Sequence, residues 1–217
     1  GELTVFEDLD WTLDKGQHCC ISGPNGCGKS TLLNLITGDS HKAYGQDITL
    51  FGRRRGTGES IWDIKQHYGQ LDHRLHLGFP RGMRVLEAVI SGFFDTLGLY
   101  DDWGDGHRQT ASQWLRTLGL DDMATASFDR LSFGLQRMVL LARAMVKSPL
   151  ILLLDEPTLG LDRPHRQVLL EAVDHIAANS DTQVIFVSHT AGEMPRCINQ
   201  SLVFVPEGER FRLVAKN

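Results

Sequence analysis

The segment GPNGCGKST, Gly23 to Thr31, fits the pattern G-x-x-x-x-G-K-[ST]. His18-Cys19-Cys20-Ile21-Ser22 leads into it as a short apolar-leaning strand. Leu32-Leu33-Asn34-Leu35-Ile36 leaves it as a helix that Gly38 is placed to end. Strand, glycine-rich turn and helix together make a phosphate-binding loop. Its glycines let the backbone wrap closely and aim N–H groups at phosphate oxygens. The helix N-terminus adds partial positive charge. In this reading Gly23, Pro24, Asn25, Gly26, Cys27, Gly28, Lys29, Ser30 and Thr31 form the cradle. Lys29 reaches the β- and γ-phosphates and Ser30 ligates Mg²⁺. Cys27 fills a variable position as a small side chain. The alternative is redox sensing, since a thiol near a helix N-terminus has a lowered pKa.

Downstream, Leu150 to Leu154 is a continuous apolar run, as a strand buried on both faces should be. It delivers Asp155 and Glu156 at its C-terminal end, where α/β sheets place their sites. Asp155 suits Mg²⁺ and Glu156 suits the polarisation of an attacking water. Asp162 caps the next helix, with Pro164 in its first turn. Gln183 to Val187 is a further buried strand, and His189 follows it within reach of a γ-phosphate. Leu202 to Val205 and Phe211 to Val214 read as a closing hairpin around Glu207-Gly208. Leu3 to Phe6 and Trp11 to Leu13 read as strands, as does Ile48 to Phe51. From about Val85 to Val146, apolar spacings of three and four dominate, which marks a helical insertion at about 79–148.

The chain has 217 residues with 41% hydrophobic and 23% charged residues, enough for one domain carrying an inserted subdomain. A net charge of -5 disfavours a general nucleic-acid-coating role. The one dense basic cluster, Arg53-Arg54-Arg55, is flanked by Gly52 and Gly56 and reads as a solvated hairpin tip. Cys19, Cys20, Cys27 and Cys197 form no C-x-x-C pair, which points to a reducing, cytosolic compartment. No apolar run approaches the ~18 residues of a membrane span, and there is no signal peptide. A membrane role would need another chain to supply the spans. The opening at Gly1 directly on a strand-like segment suggests a piece of a longer chain.

Taken in order, these elements resemble the ATP-binding-cassette family over essentially the whole chain, residues 1–217. The resemblance implies a P-loop α/β fold with a mixed sheet, an antiparallel β portion near the N-terminus and an inserted helical subdomain. It implies ATP hydrolysis to ADP and phosphate, with ATP and Mg²⁺ bound. It makes Gly23 to Thr31 the Walker A loop, Asp155 the end of Walker B and Glu156 the catalytic carboxylate. Gly160-Leu161-Asp162 becomes the D-loop and His189 the switch histidine. Ser30 and Asp155 are then the metal-binding pair. In this family two cassettes meet head to tail, and the signature of one closes over the γ-phosphate held by the other.

LSFGLQR, Leu131 to Arg137, falls where the family has leucine-serine-glycine-glycine-glutamine. Ser132 and Gly134 are retained and would contact the partner's nucleotide. Phe133 replaces a glycine and Leu135 the glutamine. Losing one hydrogen bond to a charged group costs roughly 1.5–3 kcal/mol, which predicts a slower engine rather than a dead one. The Q-loop glutamine position falls on His73, with Gln66 and Gln70 out of register. The adenine-stacking aromatic would lie just before Gly1. Within the family, the resemblance runs to tandem two-cassette proteins labelled molybdenum-transport ATP-binding proteins. It is carried by FGRRRG (Phe51 to Gly56), SIWDI (Ser60 to Ile64) and FVP (Phe204 to Pro206). This chain then matches the second cassette, with the first as its partner.

Three functions follow from these residues. One is the energy-supplying subunit of an importer, with molybdate as a cargo, held at the inner face of the cell membrane by a permease. Another is a soluble, cytoplasmic tandem ATPase acting on a macromolecule, which the altered Q-loop favours. The third is a nucleotide-gated module with little hydrolysis. Phe133, Leu135 and His73 favour it, while Lys29, Asp155, Glu156 and His189 oppose it.

Overall fold

The computed structural model describes residues 11–40, 47–55, 58, 60–72, 75–98, 103–189, 193–208 and 210–216. Its centre is strand β1, Cys19–Ser22, which runs into the glycine-rich loop and helix α1, Lys29–Thr37. Gly38 ends α1 at φ 83°, as its position predicts. A small antiparallel pair, β2 (Thr49–Leu50) and β3 (Arg53–Arg54), precedes helix α2, Ile61–Lys65. Ser60 caps α2: its hydroxyl accepts from Asp63 N at 3.2 Å, and the Asp63 carboxylate accepts from Ser60 N at 2.9 Å.

Strand β4, Tyr68–Asp72, is followed by the helices α3 (Val85–Ile90), α4 (Asp105–Thr117) and α5 (Phe133–Met145). Strand β5 (Ile151–Asp155), helix α6 (Arg163–Asn179) and strand β6 (Gln183–Ser188) restore the α/β alternation. Strands β7 (Gln200–Glu207) and β8 (Arg210–Lys216) close the chain as the expected hairpin.

The main sheet has six strands in the order β4-β5-β6-β1-β7-β8. All neighbours are parallel except β7 and β8. This is the mixed α/β sheet expected from the sequence. Side chains alternate across a strand, so β5 divides its apolar run between two cores. Leu152 and Leu154 join Leu71, Phe186, Leu140 and Leu169 on the α5–α6 face. Ile151 and Leu153 join Ile21, Leu33, Ile36 and Val187 on the α1 face. Full burial of each such side chain stabilises the fold by about 1.5–3 kcal/mol. The parallel order brings the C-terminal ends of β1, β4, β5 and β6 to one edge, with Asp72 beside Asp155 and Ser22 beside Ser188.

Two local expectations are corrected. Trp11 to Leu13 forms no strand. Side chains hold it instead: Trp11 Nε1 donates to Gln200 Oε1 at 2.8 Å, and Gln200 Nε2 donates to the Thr12 carbonyl at 3.2 Å. The hairpin tip is not the arginine cluster but Phe51-Gly52, with φ 51° and 75°. Successive positive φ values give a turn whose twist matches the flanking strands. Phe51 accepts that conformation with its ring packed on His67 and Tyr68, at centroid distances of 4.9 and 5.4 Å. Arg53 and Arg54 therefore lie on the return strand. Arg55 folds back over the end of α1, where a Cβ on Gly38 would stand 2.3 Å from its Nη1. Leu3 to Phe6 and His73 lie outside the described residues.

Candidate nucleotide site

The loop after β1 holds its shape through Lys29. Its ammonium donates to the carbonyls of Gly23 and Pro24 at 2.8 and 2.9 Å, and the residue is 8% exposed. An ammonium has three donors, so one remains for a ligand. Gly28 stands at the head of α1 with φ 110°, a conformation that L side chains resist. It offers no capping side chain, which leaves the first-turn N–H groups of α1 pointing out of the helix start. Cys27 turns the other way. It is 1% exposed, and a Cβ on Gly23 would stand 3.0 Å from its Sγ and 2.6 Å from Phe204 Cβ. The thiol is core filling. Burial also pushes the Cys19, Cys20 and Cys197 thiols up to about 12, 11 and 12. These three are held protonated, against a redox role.

A cleft of about 320 Å³ opens over this loop, lined by Asn25, Gly26, Gly28, Lys29, Ser30, Thr31, Asp155 and Glu156. Two segments far apart in sequence thus meet at one cleft. Ser30 and Asp155 offer a hydroxyl and a carboxylate, hard oxygen donors that suit Mg²⁺. Among the described residues no group of three or more His, Cys, Asp or Glu side chains could hold an ion.

Glu156 has φ 48°, unusual for a residue with a side chain. Such conformations cost about 1–3 kcal/mol and persist where the surroundings over-determine them. Here Glu156 N donates to the Val187 carbonyl at 3.0 Å, and its own carbonyl accepts from Leu159 N at 3.1 Å. The bend turns the chain at the strand end and puts Glu156 Oε1 3.0 Å from Nδ1 of His189. His189, on the neighbouring strand end, thereby joins the site through Glu156.

Ser132 and Gly134 are not among the residues lining this cleft. Ser132 caps α5, its hydroxyl accepting from Leu135 N at 3.4 Å. Gln136, next after Leu135, is committed elsewhere, donating to the Phe128 carbonyl at 3.0 Å. The backbone at Gly134 lies against His165 of α6, whose Nδ1 is 2.7 Å from the Asp162 carboxylate. The only sequence signal for His165 was its place three residues after the cap Asp162.

The family model described as ABC transporter matches residues 6–159. The chain belongs to the ABC transporter family. It is 46% identical over 215 residues to the ABC transporter ATP-binding protein ModF of Escherichia coli (strain K12). That alignment covers 99% of this chain and 44% of ModF, so the chain spans under half the length of this relative. Among solved structures, cbiO1 from Clostridium perfringens, part of the ABC transporter complex cbiONQ, superposes with a TM-score of 0.82 at 21% identity. The match covers 98% of this chain and 82% of that one. A dimeric ATP-binding cassette, MJ0796, bound to ADP and Pi in a post-hydrolysis state, gives a TM-score of 0.74 at 21% identity. It covers 98% of this chain and 90% of that one. At this identity both structures bear on the fold alone.

ABC transporter proteins bind ATP, and the cleft has the donors for it. At the start of α5 the packing accounts for a glycine at position 134. A Cβ at Gly134 would stand 2.2 Å from His165 Cδ2 and 2.4 Å from its Cγ. Gly134→Ala is therefore expected to destabilise the fold by about 1–3 kcal/mol through overpacking. Adding His165→Ala should recover most of that loss. Urea unfolding of the single and double variants checks this, and a fully stable Gly134→Ala would refute the packing account.

Proposed function

We propose that the chain hydrolyses ATP to ADP and phosphate as one half of a head-to-tail cassette pair, and that the cycle energises a separate membrane permease. The observation that carries this reading is the convergence of Lys29, Ser30, Asp155 and Glu156 on one cleft. Residues 1–217 form one cassette in this proposal, with its helical subdomain at about 79–148, working at the cytoplasmic face of the membrane.

Each residue has a role. The backbone from Gly23 to Thr31 wraps the phosphates, and Lys29 donates to the β- and γ-phosphate oxygens. Ser30 and Asp155 would hold Mg²⁺, which would neutralise charge on the phosphates. Glu156 accepts a proton from water as its oxygen bonds to the γ-phosphorus, and the bond to the bridging oxygen breaks to release ADP. His189 holds the Glu156 carboxylate and reports on the γ-phosphate. By the family resemblance, Ser132 and Gly134, which do not line their own cleft, contact the nucleotide of the partner cassette. The partner is a second cassette, in the same polypeptide or in a second copy.

The transport part rests on likeness to the ABC transporter ATP-binding protein ModF, and molybdate as cargo on the resemblance to molybdenum-transport proteins. A second reading, a soluble tandem ATPase acting on a macromolecule, is favoured by His73 at the Q-loop position. Two measurements on the full-length protein test these readings. Phosphate release with ATP and Mg²⁺ tests the enzyme, and a rate no higher than background would sink it. Co-purification from solubilised membranes tests the importer. Active protein with no permease attached would favour the soluble reading.

A further inference from the structure

Phe133 opens α5 at a place where a glycine would have no side chain to offer. Its ring is half-buried and packs back onto the chain. A Cβ on Gly160 would stand 3.1 Å from Phe133 Cε1, and the guanidinium carbon of Arg137 is 4.9 Å from the ring centroid. Each contact leads to one of the carboxylates in the cleft. Gly160 belongs to the turn that Glu156 opens, closed by Leu159 N on the Glu156 carbonyl and Leu161 N on the Thr158 carbonyl, both at 3.1 Å. Arg137 is one turn along α5 on the same helix face as Phe133. It is 1% exposed, and its Nη1 donates to the Asp72 carbonyl at 3.1 Å. Asp72 ends β4 directly beside Asp155.

We infer that Phe133 is a positioning residue for hydrolysis, tying the seating of the Ser132–Gly134 turn to the Glu156 turn directly and to the Asp155 strand end through Arg137. This rests on the ATPase reading above. The ring lines no part of the cleft, so it acts on turnover and not on ATP binding. Whatever fills the α5 start of this chain thereby adjusts the carboxylates of the same chain. Arg137 carries the second arm because a guanidinium can stack on the ring and still donate from its edge.

The test is steady-state phosphate release by the full-length protein, normalised to titrated nucleotide sites. Phe133→Ala is expected to lower kcat by about tenfold, with KM within about twofold, the pattern of an interaction used in turnover and not in binding. Phe133→Tyr, which keeps the ring, should stay within about twofold of wild type. Arg137→Met, which removes one of the two arms, should lose less than Phe133→Ala, and the double variant should lose no more than Phe133→Ala alone. If Phe133→Ala does not fold, Phe133→Leu and Arg137→Met carry the same comparison. Unchanged kcat in these variants, a rise in KM alone, or additive losses would overturn the inference while leaving the ATPase reading intact. A wild-type protein that releases no phosphate would overturn that reading, and this one with it.

Discussion

Glu156→Gln is expected to cut phosphate release by about 10²–10⁴-fold, the usual worth of a positioned general base. ATP binding should survive. The amide has nearly the size of the carboxylate, and the bend that presents it is made by the backbone, through Val187 and Leu159. What disappears is the capacity to accept a proton from water. The pairing with Nδ1 of His189 at 3.0 Å changes in kind as well, since a carboxyl group is replaced by an amide. With binding intact and hydrolysis stalled, the variant should accumulate as an ATP-bound pair of cassettes. Single-turnover phosphate release gives the first quantity, and the mass of the complex with ATP gives the second. Hydrolysis at the wild-type rate would remove Glu156 from the role assigned to it. Slow hydrolysis without a stable pair would instead place the assembly, and not the chemistry, in question.

Much of this arrangement is legible in the sequence because few local alternatives exist. A glycine-rich loop ending in Gly28-Lys29-Ser30 between a strand and a helix has one stable geometry, and the structure gives it. The run from Leu150 to Leu154 reads as a strand buried on both faces; Leu150 stays exposed, and the strand from Ile151 divides its side chains between two cores. Asp162 and Pro164 announce α6, and Asp162 does accept from His165 N, at 3.0 Å. The failures share a cause: tertiary contacts decided them. Trp11 to Leu13 has strand-like residues, yet its polar groups pair with the Gln200 side chain rather than with a ladder. The hairpin tip moved to Phe51-Gly52 because His67 and Tyr68 receive the Phe51 ring. Similarly, Phe133 read alone only as a replacement for a glycine. Its ring in fact lies over Gly160 and beneath Arg137, contacts that no local pattern announces. The positive φ of Glu156 was equally hidden, since nothing in the run LLDEP requires it.

Lys29→Met should weaken ATP binding by about 10- to 150-fold, since the one donor left for a phosphate makes a hydrogen bond to a charged group, worth about 1.5–3 kcal/mol. The expectation follows from where the ammonium already is. Two of its donors are spent on the Gly23 and Pro24 carbonyls, so the group braces the loop before any ligand arrives. Methionine fills a similar volume but leaves both carbonyls without that donor and the phosphates without the third. The free protein should therefore lose stability, by about 1 kcal/mol per vacated carbonyl at most, because water can reach an open loop. Lys29→Arg is not expected to rescue binding. At 8% exposure the site is fitted to a compact charge on a flexible stem, and a planar fork directs its donors differently. Titration calorimetry with ATP and Mg²⁺ gives the affinity. Thermal melts supply an independent check, since a ligand that binds only the folded form raises Tm in the wild type and should fail to in Lys29→Met. Wild-type affinity in this variant would mean that the cleft over Gly23 to Thr31 is not where the phosphates bind.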